Sequence, residues 1–127
     1  MNKRIFLVDD DEIINHVHTM VINRINPSVE IISFKSGLQF IQAVKASESF
    51  CFPEIIFLDI RMPEMSGFEV LEELTARYKA QLCGTSIYIL SSSLDDRDLA
   101  KAVSFPIVTK FMSKPLTFDV VSDLLSK

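Results

Sequence analysis

Glu54-Ile55-Ile56-Phe57-Leu58-Asp59-Ile60-Arg61-Met62-Pro63-Glu64-Met65-Ser66-Gly67-Phe68-Glu69 carries the pattern that decides the fold. Ile55 to Leu58 are four consecutive apolar residues, the signature of a short strand buried on both faces. The run stops at a carboxylate, Asp59. Turn chemistry follows: Pro63 fixes its own φ, and Gly67 permits a positive φ. Phe68, Leu71 and Leu74 then restart the apolar pattern at helical spacing, so the stretch reads strand, acid, loop, helix. An acid at the carboxyl end of a buried strand lies where open α/β sheets bind ligands. A lone Asp that only ends a strand is the bland alternative, and it weakens if other segments deliver matching chemistry to the same edge.

Working outward, the same unit recurs. Residues 4–8 form a first buried strand ended by Asp9-Asp10-Asp11. Ile13, Ile14, Val17, Val21 and Ile25 then mark a helical face, with Asp11 as N-cap and Glu12 suiting the helix dipole. Asn26-Pro27-Ser28 ends that helix. Residues 29–34 are rich in β-branched side chains and read as a second strand. Ser36-Gly37 opens a second helix marked by Leu38, Ile41 and Val44, and a polar connection over 47–52 leads to the opening stretch. Its helix runs to about Lys79, and a loop over 80–85 follows. Ile87-Tyr88-Ile89-Leu90 is a fourth strand ending in Ser91-Ser92-Ser93. Asp95 or Asp96 caps a short helix stopped near Pro106. Residues 109–113 are a fifth strand ended by Lys114-Pro115, and Thr117 caps a last helix with Val120, Val121, Leu124 and Leu125 inward. Five βα units in 127 residues predict an open, doubly wound parallel sheet.

Composition agrees with one folded domain spanning residues 1–127. The chain is 48% hydrophobic, enough for a core, and its net charge of −4 argues against a dedicated nucleic-acid surface. Cys51 and Cys83 have no metal-like spacing and read as reduced thiols. The apolar run after Lys3-Arg4 is too short for a signal peptide and ends in acids, and no stretch has membrane-spanning length. The expected location is the cytoplasm.

In a parallel sheet all strand ends share one edge. Asp9, Asp10, Asp59, Ser91 and Lys114 would gather there, and a strand order of 2-1-3-4-5 would set the three acids side by side. Three carboxylates in one cleft demand a raised pKa or a cation. An all-oxygen set without His or Cys favours a hard ion, and Mg²⁺ fits best. A carboxylate beside Mg²⁺ can attack a phosphoryl group, with Lys114 and the Ser91 hydroxyl each holding a phosphoryl oxygen.

With these motifs in order, the sequence resembles the response-regulator receiver domains of bacterial two-component signalling. The resemblance rests on Leu7-Val8-Asp9-Asp10-Asp11, Leu58-Asp59-Ile60-Arg61-Met62-Pro63 with Gly67, Ile89-Leu90-Ser91-Ser92 and Phe111-Met112-Ser113-Lys114-Pro115, which together cover nearly the whole chain. It implies a flavodoxin-like fold and phosphorelay signalling. Asp59 would be the phosphoacceptor, fed by a sensor histidine kinase or a histidine phosphotransfer protein. Mg²⁺ would be held by Asp10, Asp59 and the Arg61 backbone carbonyl, with Asp9 acting through a bound water. Ser91 and Lys114 would contact the phosphoryl group, Lys114–Pro115 would be cis, and Ser91 with the aromatic Phe111 would form a switch that controls partner binding through helix 4, strand 5 and helix 5. Such a domain is no enzyme toward a separate substrate, although it catalyses its own phosphorylation and dephosphorylation. The chain ends just after helix 5, which suits a stand-alone receiver without an effector domain.

The sequence departs from the commonest receiver pattern in three places. Ser104-Phe105-Pro106-Ile107-Val108 stands where many receivers carry a Gly-Ala pair. Phe111 lacks the hydroxyl of the tyrosine in some relatives. Arg61 and Ser93, two beyond Asp59 and Ser91, border the phosphoryl site and are candidate rate-tuning residues. His16 and His18 do not face one another on a helix, so neither reads as a metal ligand or a phosphotransfer residue. A phosphorylation-independent interaction module is a competing reading, opposed by the intact Asp9, Asp10, Asp59, Ser91 and Lys114 set. A Mg²⁺-dependent phosphatase is another, opposed by the lack of any segment for a cap.

Overall fold

A computed structural model describes residues 3–93 and 95–126. The elements are β1 (Arg4–Val8), α1 (Glu12–Ile25), β2 (Glu30–Phe34), α2 (Gly37–Lys45), β3 (Ile55–Asp59), α3 (Gly67–Arg77), a 3₁₀ turn (Ala80–Leu82), β4 (Ser86–Ser91), α4 (Asp96–Val103), β5 (Val108–Ser113) and α5 (Phe118–Leu125). The sheet is parallel throughout, in the order β2-β1-β3-β4-β5, as expected.

Alternation along each central strand builds two separate cores, because successive side chains point to opposite faces. Phe6, Val8, Ile56, Leu58, Ile87 and Ile89 pack with Phe40, Ile41, Leu71, Leu74 and Ala102, on the side of α2, α3 and α4. Ile5, Leu7, Ile55, Phe57, Tyr88 and Leu90 pack with Val21, Ile22, Val121 and Leu124, on the side of α1 and α5. Ile55 to Leu58 of β3 are all buried, as the unbroken apolar run requires, and so is Asp59 at the strand's end.

Four local expectations change. The buried stripe of α1 is Asn15, His18, Val21 and Ile22, whereas Ile13 is 74% exposed and Val17 is also exposed. Polar atoms explain the offset. Asn15 Nδ2 donates to the Asp9 carbonyl and His18 Nε2 accepts from the Leu116 N–H, so two polar side chains with satisfied bonds take inward positions. In α5, Val121 and Leu124 face inward while Val120 is exposed. Residues 47–52 are less polar in effect than in composition. Phe50 and Phe52 are partly buried, and an edge-to-face series runs from Phe6 through Phe50 to Phe52, which in turn meets Tyr78. Tyr78 itself caps α3, which ends at Arg77, close to the expected end near Lys79.

Gly67 is the fourth. It does not adopt a positive φ; that conformation falls to Glu64, at φ 69°. Gly67 is needed for proximity instead. A Cβ there would overlap the Asp59 carbonyl oxygen and lie 2.9 Å from Ile60 Cα, while the Gly67 N–H donates to the Ile60 carbonyl at 2.8 Å. The first turn of α3 is thus pressed onto the end of β3. Ser66 and Glu69 lock that turn with a reciprocal capping box. Gly67→Ala should therefore cost about 1–3 kcal/mol of stability through overpacking against backbone. Gly84→Ala, with open space around it, should stay within about 0.5 kcal/mol. Urea unfolding of the two variants beside the parent protein checks the contrast.

Candidate functional site

Strand register assembles the site. Val8 pairs with Leu58 and Asp59 with Leu90, while Ser91 pairs with Ser113. Asp9, Asp59, Ser91 and Lys114 therefore emerge together at the carboxyl edge, around the point where the chain turns from β1 outward to β2 on one side and to β3 on the other. Asp9 and Asp59 are buried, at 4% and 3% exposure, whereas Asp10 is exposed. One carboxylate oxygen from each of Asp9, Asp10 and Asp59 lies within 4.8 Å of the others. Asp11 is not part of that set: its carboxylate accepts from the Ile13 and Ile14 N–H groups and caps α1.

Lys114 reaches back across the edge. Its Nζ lies 3.0 Å from Asp9 Oδ2 and 3.2 Å from Asp59 Oδ1. Its own backbone N–H donates to the Ser91 carbonyl at 2.8 Å, which ties β5 to β4 at the site. Burial works against the lysine charge, but the hydrogen bond to Asp9 and the charges of Asp59 and Asp9 outweigh it, so its pKa lies above the usual lysine value. Asp59 is under-compensated. Burial, then the Asp9 charge, push its pKa up to about 6, against the opposing pull of Lys114 and a hydrogen bond from the Arg61 backbone. One ammonium faces three carboxylates, all of them oxygen donors with no His or Cys among them. That donor set fits a hard divalent cation.

The remaining predicted residues divide between the site and its supports. Ser91 is buried at the end of β4, but its hydroxyl donates to the Ser93 carbonyl at 2.7 Å and accepts from the Ser93 N–H at 3.2 Å. The Arg61 guanidinium forms an ion pair with Asp98 of α4. Phe111 of β5 is half-buried and packs against the core on the α2–α3–α4 side. Pro63 lies in the β3–α3 loop, where its carbonyl accepts from Met65 N–H. Lys114–Pro115 is cis, as the resemblance implied.

Sequence reading missed two supports, Asn15 and His18. Asn15 holds the Asp9 carbonyl, and His18 accepts from the backbone immediately beyond Pro115. Burial, then the Lys114 charge, bring the His18 pKa down to about 4, so it acts as a neutral acceptor at physiological pH. The available signal was spacing: Asn15, His18 and Ile22 follow the 3, 4 helical period, but an apolar-only count passes over the first two.

The chain belongs to the response regulator receiver domain family, whose model matches residues 5–126. It is 32% identical over 102 residues to protein-glutamate methylesterase/protein-glutamine glutaminase 3 of Leptospira interrogans; the match covers 79% of this chain and 26% of that protein, so the chain spans about a quarter of the length of that relative. It is 26% identical over 127 residues to hybrid signal transduction histidine kinase L of Dictyostelium discoideum, across 98% of this chain and 7% of the kinase. Among solved structures, a two component response regulator from Cytophaga hutchinsonii superposes with a TM-score of 0.89 at 32% identity, covering 99% of this chain and 96% of that one. Among the described residues, no helix is long and apolar enough to cross a membrane.

The raised pKa of Asp59 has a signed consequence. The native state binds this proton more tightly than the unfolded chain does, so stability falls as pH rises from about 4 to about 6. Asp59→Asn removes that loss. Without divalent cations the variant should be more stable than the parent at pH 7, by about 1–3 kcal/mol, and the gap should close toward pH 4. Thermal or urea unfolding of both proteins across this range measures it.

Proposed function

We propose that the protein is a phosphorelay receiver in which Asp59 accepts a phosphoryl group from the phosphohistidine of a sensor histidine kinase or histidine phosphotransfer protein. The observation that carries this reading is the burial of Asp59 between Asp9 and Lys114 at the end of β3, a carboxylate with a cation in reach and with excess negative charge beside it. An Asp59 oxygen attacks phosphorus, the P–N bond breaks, and its electron pair leaves with the donor imidazole. Lys114 passes from the two carboxylates to a phosphoryl oxygen. The Ser91 hydroxyl gives up the Ser93 carbonyl and donates to another. Asp10, Asp59 and the Arg61 carbonyl would hold Mg²⁺, with Asp9 reaching it through water. The ion supplies neutralisation of the charge gathered around the transferred group.

The transfer is catalysed by the receiver's own groups, and the product is a changed surface rather than a released compound. Movement of Ser91 draws on the β4–α4 loop, and half-buried Phe111 repacks by shape alone because it has no hydroxyl. The face of α4, β5 and α5 is then the output surface for a protein partner. Action in the cytoplasm, as a bacterial signalling protein, completes the reading.

Incubation with Mg²⁺ and acetyl phosphate, followed by intact mass measurement, tests it. A single labile phosphoryl adduct is expected on the parent protein and none on Asp59→Asn. No adduct with any phosphodonor would favour an interaction module independent of phosphorylation, and rapid turnover of phosphomonoesters would favour a phosphatase.

A further inference from the structure

The Arg61 side chain is the cation nearest in sequence to the proposed phosphoacceptor, and the fold keeps it occupied elsewhere. Its backbone N–H serves the Asp59 carboxylate, whereas its Nη2 pairs with Asp98 Oδ2 on the first turn of α4. The pair is asymmetric: the Asp98 side chain is 13% exposed and that of Arg61 69%, so a held carboxylate receives a free-reaching guanidinium. The α4 N-cap, Asp95, adds a second negative charge that Arg61 also feels. Helix α4 has its own attachment to the same segment. Lys101, three residues beyond Asp98 and on the same helical face, places Nζ 4.6 Å from the centroid of Phe68. Phe68 in turn stacks on Phe105, with centroids 6.5 Å apart and planes 14° from parallel. Helix α4 is therefore also held by contacts that do not use the Asp98 charge.

We infer that Asp98 is a positioning residue for the phosphoryl site: it is the resting counter-ion that keeps the Arg61 guanidinium off the phosphoryl oxygens. This rests on the reading of Asp59 as phosphoacceptor. A guanidinium matches phosphoryl oxygens as well as it matches a carboxylate, so the dianionic group on Asp59 and the carboxylate of Asp98 compete for one arginine. While Asp98 holds it, the approach of the hydrolytic water to phosphorus stays open. With Asp98 neutralised, Arg61 covers the phosphoryl oxygens and hinders that approach. The segment around Phe105, where the sequence departs from the usual receiver pattern, thus helps to fix the helix that controls the lifetime of the signal.

A double-mutant cycle separates positioning from structure. The parent, Asp98→Asn, Arg61→Ala and the double variant are phosphorylated with acetyl phosphate and Mg²⁺, the donor is removed, and loss of the adduct is followed by intact mass. Asp98→Asn should slow hydrolysis about two- to fivefold, the range set by a partly exposed ion pair, and should have no effect in the Arg61→Ala background. An unchanged or faster decay in Asp98→Asn, or the same change in both backgrounds, would overturn the inference while leaving the phosphoacceptor in place. No adduct on any of the four proteins would overturn both.

Discussion

The interaction on which the rest depends is the repulsion between Asp9 and Asp59, two buried carboxylates with the exposed Asp10 beside them and one lysine to offset them. Charges of like sign do not gather in a low-dielectric edge by themselves. The apolar strands bring them there: Ile5 to Val8 and Ile55 to Leu58 are buried on both faces, and their parallel register leaves no choice about where the next residues emerge. Burial of the strands thus sustains an electrostatically unfavourable cluster. The same cluster is an all-oxygen donor set that fits a divalent cation.

Around the cluster, contacts with the backbone hold Asp9 and Asp59 in place while the cationic and hydroxyl groups have alternative partners. Asp9 is fixed through Asn15 and through the Asp11 N–H, and Asp59 through the close approach of Gly67. Lys114, Ser91 and Arg61 are instead engaged in bonds that another acceptor can replace: two carboxylates, the Ser93 carbonyl and Asp98. A rigid acid frame with three exchangeable donors is the arrangement a two-state switch needs, since a ligand shifts an equilibrium only through interactions that differ between states. Arg61 and Phe68 also contact α4, through Asp98 and Lys101.

Strand positions were legible in the sequence because β1, β3 and β4 are continuous apolar runs ended by polar residues, a pattern that survives without tertiary information. The site followed from them, since strand ends in a parallel sheet share an edge. Helix faces were less legible. On α1, hydropathy favoured Ile13 and Val17, yet the inward positions went to Asn15 and His18, whose partners Asp9 and Leu116 lie in other segments and are invisible to a local count. Gly67 was recognised as necessary but for another reason: a close approach to the Asp59 carbonyl leaves no trace in sequence, whereas a turn glycine does. Arg61 was placed beside the site by its spacing, but its partner Asp98 lies 37 residues away, on a helix the spacing could not orient.

The central claim is that the carboxylate cluster is built short of positive charge and takes a divalent cation. Titration of Mg²⁺ into ¹⁵N-labelled protein, followed by amide chemical shifts, tests it most directly. The account predicts saturable shifts with one-to-one stoichiometry, centred on Asp10, Asp59 and Arg61 and weakened in Asp59→Asn. Shifts that fail to saturate, or that spread over the acidic surface without favouring these residues, would contradict it.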